Sequence, residues 1–156
     1  MSEVKLNPKY AEAVAMSVNK SPYFMLLSMK INELQWGISF LEIQLDVKHL
    51  QPFGFVHGGA IASLVDAATF WAVFPQIKRG LGLTTVDLKV NFLSPAQKGR
   101  LSAKGRCIRA GRTLALADAE IRNDRGGLVA HGMSTMMVVP DLKMPDYENF
   151  PPVRSK

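Results

Sequence analysis

A chain of 156 residues with 47% hydrophobic content is long enough for one packed domain and too short for two substantial ones. Its single cysteine, Cys107, excludes an internal disulfide, in keeping with a reducing cytoplasm, and lies mid-strand, where a small core residue is a better reading than a nucleophile. The net charge of +6 is uneven: from Lys78 to Arg112 nine basic residues face Asp87 alone, a local +8 that suits a polyphosphate or an anionic surface, while the lack of interleaved aromatics argues against nucleic acid.

Residues 1–20 carry charge throughout and lack the apolar segment of a secretory signal, so a cytoplasmic protein is expected. Residues 1–28 form an N-terminal helical segment within a single domain spanning 1–156. Asn7 and Pro8 read as the cap and first residue of an amphipathic helix ending near Asn19, and Ser21-Pro22 repeats the signal for a short second turn. Met29 to Val47 is extended, with a turn at Trp36-Gly37, and Lys48 to Val56 is a loop holding Pro52 and Gly54.

The segment from Gly58 to Phe74 is apolar except for one carboxylate, Asp66, and follows His57 directly. A helix apolar on all sides is normally buried, and an unpaired charge there is costly, so Asp66 is either a structural acid with a partner or a functional one. Ser63, Asp66 and Thr69 share one face as a polar slot. Gly58 and Gly59 bare the first-turn N–H groups at the positive end of the helix dipole, a place suited to a developing oxyanion. The helix is marginal for a membrane span and reads as the core of a soluble protein, with no membrane insertion. Phe53, Phe55, Phe70, Trp71 and Phe74 are expected mainly in the core, with one or two of them lining a channel.

Four strand-like runs follow, Leu83 to Phe92, Gly99 to Arg109, Thr113 to Asn123 and Leu128 to Val139, and their short connections predict an antiparallel meander. In the first run Thr84, Val86, Leu88, Val90 and Phe92 alternate with Thr85, Asp87, Lys89 and Asn91. Small residues, Ala103, Gly105 and Cys107, then Ala115, Ala117 and Ala119, leave room for a helix to lie close. The tail 140–156 is irregular. The expectation is α+β: an antiparallel sheet wrapped around one long central helix, leaving an edge and a polar slot for a partner protomer. His49 and His131 have no ligand-spaced partners, so no metal is expected.

The run from His49 to Gly59, then Asp66, Val86-Asp87-Leu88, Asn91 to Ala96, Gly111-Arg112 and Leu128 to Thr135 resembles the hotdog-fold acyl-CoA thioesterases, in particular the PaaI-like branch and its 4-hydroxybenzoyl-CoA relatives. The resemblance covers about Lys48 to Thr135. It implies that the Gly58 amide polarises a thioester carbonyl and that Asp66, contributed by the opposite subunit, acts as nucleophile or general base. Gln51 stands where many members carry asparagine and the 4-hydroxybenzoyl-CoA relatives carry glutamine. Thr85 matches a polar residue that assists water, although strict alternation puts it off the core face, which makes that role depend on a subunit interface. His57 is a further candidate, its place favouring a loop-holding role over direct catalysis. Gly59, Arg109, Arg112 and Phe70 are candidate substrate contacts, the arginines for the phosphates of coenzyme A, which enters as part of the substrate, with no separate cofactor. The implied protein is a homodimer or a dimer of dimers. Alternatives are a hydratase or dehydratase of the same fold and a non-catalytic acyl-CoA-binding or sensing protein.

Overall fold

The structure, a computed structural model, describes residues 4–155. Helix α1 (Pro8–Val18) starts where Asn7 accepts the Lys9 N–H at 3.1 Å and proline occupies the first turn. The short α2 (Pro22–Leu26) follows, then strands β1 (Met29–Gln35) and β2 (Ile38–Gln44). After a 3₁₀ turn at Val47–His49 comes the long helix α3 (Gly58–Val73), and then β3 (Gly82–Phe92), β4 (Arg100–Ala110), β5 (Leu114–Arg122) and β6 (Leu128–Val139).

All six strands form one antiparallel sheet in the order β1-β2-β4-β5-β6-β3, curled around α3. This is the α+β hotdog architecture. The meander is correct for β4, β5 and β6 but not for β3, which pairs with β6 at the far edge of the sheet instead of with β4. The segment between β3 and β4 crosses the end of the curved sheet beneath the start of α3. The Leu93 and Ser94 N–H groups bond to the Val129 carbonyl, and the Val56 N–H to that of Ala96. A short connection therefore joins strands that are not neighbours, because curvature shortens the path between them.

Small residues set the helix-to-sheet distance. A methyl group at Gly105 would overlap the Ala68 carbonyl, and one at Gly132 would overlap Val65. Ser39, fully buried, donates to that same Ala68 oxygen at 2.6 Å. Leu64, Val65, Ala68, Ala72 and Val73 of α3 are fully buried against Ala117, Ile121, Ala130 and Met136. With the turn that follows it, α3 is long and apolar enough to cross a membrane by composition, yet most of it is buried within the protein.

The register breaks in β3, between Thr85 and Asp87, and this corrects the strict alternation expected there. Val86 is the extra residue of a β-bulge and stands half exposed. The bulge exchanges faces, so Leu83 and Thr85 point at α3 before it while Leu88 and Val90 are the inward residues after it. Thr85 is thereby on the helix face rather than off it. Phe53 departs from expectation as well: at 85% exposure it lies on the loop surface, outside the core.

The chain beyond β6 returns over α1. Tyr147 is buried, with its hydroxyl 2.7 Å from that of Tyr10, and Leu6 bridges to Arg154.

Candidate active site

The start of α3 is set by His57. Its extended backbone caps the helix and its Nδ1 accepts the Gly59 N–H at 2.8 Å, which places the ring proton on Nε2. The second amide of the helix is therefore engaged internally, although Gly59 was a candidate substrate contact. Among the described residues the Gly58 N–H has no acceptor. It opens onto a cleft of about 360 Å³ with Gln51, Phe55, Ile61 and the Phe92–Ala96 turn. A methyl group on Gly58 would come within 3.2 Å of the Phe92 ring, so glycine keeps this amide accessible.

Gln51 is held by a tight turn. Its N–H bonds to Phe55 O at 2.8 Å, its carbonyl accepts from Gly54, and its side-chain oxygen accepts the Phe53 N–H. Among the described residues the carboxamide NH₂ has no acceptor, and it lines the same cleft as Gly58. His49, which accepts the Asp46 N–H at Nδ1 and donates its Nε2–H to Leu27 O, anchors the same loop and is buried.

Asp66 lies elsewhere. It is half buried, and its Oδ1 accepts from the Thr85 hydroxyl at 2.7 Å. The slot residues beside it are spoken for: Ser63 donates to Gly59 O at 2.8 Å and meets the Tyr23 hydroxyl, and Thr69 turns back to the Val65 and Asp66 carbonyls. Among the described residues Oδ2 has no hydrogen-bond partner. Eight residues of helix separate Gly58 from Asp66, a rise of about 12 Å. One protomer thus brings Gly58 together with Gln51, and Asp66 together with Thr85, but does not unite the two pairs.

Arg109 and Arg112 share a cleft of about 600 Å³ with Lys78 and Gln76, beyond the C-terminal end of α3 and far from Gly58 of the same chain. Other members of the basic stretch are committed elsewhere. Arg79 binds tail carbonyls, Arg100 pairs with Glu42 and Asp124, and Arg106 makes two bonds to Asp118. Burial acts to raise the Asp118 carboxyl, yet Arg106 and His131 outweigh it and hold the group below the usual range. Sequence reasoning overlooked Arg125. With Lys98 it lines a cleft of about 440 Å³ that shares Pro95 and Ala96 with the Gly58 cleft. The signal was present, since the Asp124–Gly127 turn must end at the same edge as Ser94-Pro95.

Phe70 stands one turn beyond Asp66, stacked on Phe74 with centroids 5.7 Å apart and edge-on to Trp71 at 5.0 Å. These three rings line one wall of an apolar groove of about 420 Å³. Burial raises the Cys107 thiol above its ordinary range, the opposite of what a nucleophile needs. Among the described residues no group of three His, Cys, Asp or Glu side chains is placed to hold a metal ion.

An antiparallel sheet curled around one long helix, with the first amide of that helix open to a cleft, is an architecture shared with the hotdog-fold thioesterases. The sequence pattern of the thioesterase superfamily matches residues 53–130, and the chain belongs to that superfamily as a thioester hydrolase. A Saccharolobus solfataricus protein named as an esterase is 30% identical over 117 residues, 74% of this chain and 76% of that one. Acyl-coenzyme A thioesterase 13 of Mus musculus is 31% identical over 96 residues, 60% of this chain and 68% of that one. Among solved structures, a thioesterase family protein from Silicibacter pomeroyi is similar with a TM-score of 0.77 at 30% identity, over 84% of this chain and 98% of its own. A thioesterase from Haemophilus influenzae shares the fold with a TM-score of 0.80 at 20% identity, over 92% of this chain and 99% of its own.

Proposed function

We propose that the protein hydrolyses acyl-CoA thioesters to the free acid and coenzyme A, at sites built from two protomers. The observation that carries this reading is the free Gly58 amide. His57 occupies the next amide, so a single donor at the positive end of α3 is aimed into the cleft beside the Gln51 carboxamide. A thioester oxygen there gains negative charge as its carbon is attacked. Asp66 of the neighbouring protomer, oriented by Thr85, takes a proton from water as that water attacks, or attacks the carbon itself to form an anhydride that water then opens. In either course the C–S bond breaks and the sulfur leaves as the coenzyme A thiolate, which takes up a proton. This chemistry needs no metal and no cofactor apart from the coenzyme A moiety of the substrate.

Two features support a shared site. The separation along α3 is too great for both groups to grip one carbonyl within a protomer, and β3, which carries Thr85, is an edge strand with an unpaired side. A two-fold partner whose α3 runs the other way brings its Asp66 toward Gly58, and its Arg109 and Arg112 toward the same end. An acyl-CoA-binding protein without turnover would not need the Asp66–Thr85 pair.

Co-expression of two inactive variants, Asp66→Asn and Gln51→Ala, tests the arrangement. In a mixed dimer one site carries both lesions and the other carries neither, so random pairing should restore about a quarter of wild-type activity. Mixed dimers that form and stay as inactive as the parents would place the whole site in one protomer.

A further inference from the structure

The apolar groove beside Phe70 has an unusual outer wall. One side is the end of α3 with Phe70 and Trp71, then Phe74 just past it and Phe24 of α2, and the other is the segment Leu142–Pro145, beyond the residues that match the superfamily. Two aspartates in the left-handed region, Asp141 (φ 63°) and Asp146 (φ 58°), turn the chain at either end of this strap. At one end the strap presses so close to β3 that a methyl group on Gly82 would overlap the Leu142 carbonyl. At the other the Arg79 guanidinium reaches the carbonyls of Tyr147, Glu148, Phe150 and Pro151 and lies 5.3 Å from the Tyr147 ring centroid. One cation thus gathers four carbonyl oxygens of a segment with little regular structure of its own.

The groove adjoins the proposed chemistry. Along α3, Phe70 follows Asp66 by one turn on the same face, and along β3, Leu83 precedes Thr85 on the same face. The two walls that hold the carboxylate therefore continue into the groove. Its volume lies within the ~300–1,000 Å³ of ligand sites. Its polar side chains, Ser17, Ser21 and Lys143, are exposed or half-buried, and its inner surface is aromatic and aliphatic. A hydroxyl or charge at the far end of an acyl group would lose its water there without a partner.

We propose that the strap Leu142–Pro145, pinned by Arg79, is the wall that sets acyl selectivity, and that the group it receives is an unsubstituted aliphatic chain. This rests on the thioester-hydrolase reading with Asp66 at the reacting carbon. Arg79 acts through the strap as a positioning residue.

The test compares acyl-CoAs from four to fourteen carbons with the native protein, Arg79→Ala and Met144→Trp. In the native protein kcat/KM should rise roughly fourfold per methylene until the groove is full, the value of ~0.8 kcal/mol per buried methylene converted at ~1.4 kcal/mol per tenfold. Met144→Trp should cost at least about tenfold on the twelve-carbon substrate and leave the four-carbon one within about twofold. Arg79→Ala should flatten the rise with chain length. A second readout is independent of turnover: in a Trp36→Phe background, 12-bromododecyl-CoA, a thioether that cannot be hydrolysed, should quench the fluorescence of Trp71. The proposal is overturned by an unchanged chain-length profile in the folded Met144→Trp variant. Preference for a hydroxylated aromatic acyl group, or an unquenched Trp71 because a second copy covers the groove, overturns it equally. Failure of the native protein to hydrolyse any acyl-CoA would instead defeat the underlying reading, and the quenching measurement would still decide whether the groove takes the chain.

Discussion

Thr85 offers the sharpest perturbation of the site. Its hydroxyl, 2.7 Å from Asp66 Oδ1, is the only side-chain donor to that carboxylate among the described residues, and it faces α3 only because of the bulge at Val86. Thr85→Val keeps the shape and the β-branching, so β3 should persist and the melting temperature should move little. A hydrogen bond to a charged group contributes ~1.5–3 kcal/mol. If the bond holds Asp66 in its reactive rotamer, its removal appears mainly in the chemical step, as a fall of roughly 10- to 100-fold in kcat at ~1.4 kcal/mol per tenfold, with KM nearly unchanged. The assay follows release of coenzyme A thiol with a chromogenic disulfide. Thr85→Ser should recover most of the loss, because it restores the donor, and Thr85→Val added to Asp66→Asn should cost nothing further. A Thr85→Val protein with kcat within twofold of wild type would refute the role of this contact in positioning Asp66.

Asp66→Asn should lower kcat more than ~100-fold while leaving the thermal melt and acyl-CoA binding close to wild type, and ¹⁸O found in the Asp66 carboxylate after a single turnover of the native protein in ¹⁸O-water would mark attack by the carboxylate. Neutralising Arg109 and Arg112 together should raise KM for a full acyl-CoA several-fold but not for a truncated pantetheine thioester, and added salt should act in the same direction. If neutralising Lys98 and Arg125 does this instead, the phosphates lie on the protomer that supplies Gly58. Gly105→Ala should reduce soluble yield and melting temperature sharply, since the added methyl overlaps the Ala68 carbonyl of a buried helix and overpacking costs ~1–3 kcal/mol or more, which thermal denaturation would register.

The elements of the fold were legible because each rests on a local rule. Asn7-Pro8 capped a helix, the apolar run from Gly58 was buried, and alanines and glycines marked strands lying close to it. What could not be read was non-local. The place of β3 at the sheet edge depends on curvature that brings distant strand ends near one another, and nothing in the Leu93–Gly99 connection records that it bypasses two strands. The bulge is a shift of register between two strands, visible only once Thr85 is set against Met136 and Asp87 against Thr135. Periodicity assumes no such shift, and it put Thr85 on the wrong face.

That single error shows how the site is divided. The Gly58 half was open to sequence reasoning, since a helix start advertises itself through its glycines and its cap, even though the engagement of the Gly59 amide by His57 needed coordinates. The Asp66 half was visible as an anomaly, a carboxylate in an apolar helix, without its explanation. Its donor comes from a residue nineteen positions away, across a bulge. With Thr85 facing inward, the pairing of that hydroxyl with Asp66 no longer requires an interface. The case for a second protomer then rests on the ~12 Å between Gly58 and Asp66 and on the unpaired edge of β3, both of which are independent of the Thr85 contact. The Thr85→Val and mixed-dimer experiments therefore address separate claims, and either can fail while the other stands.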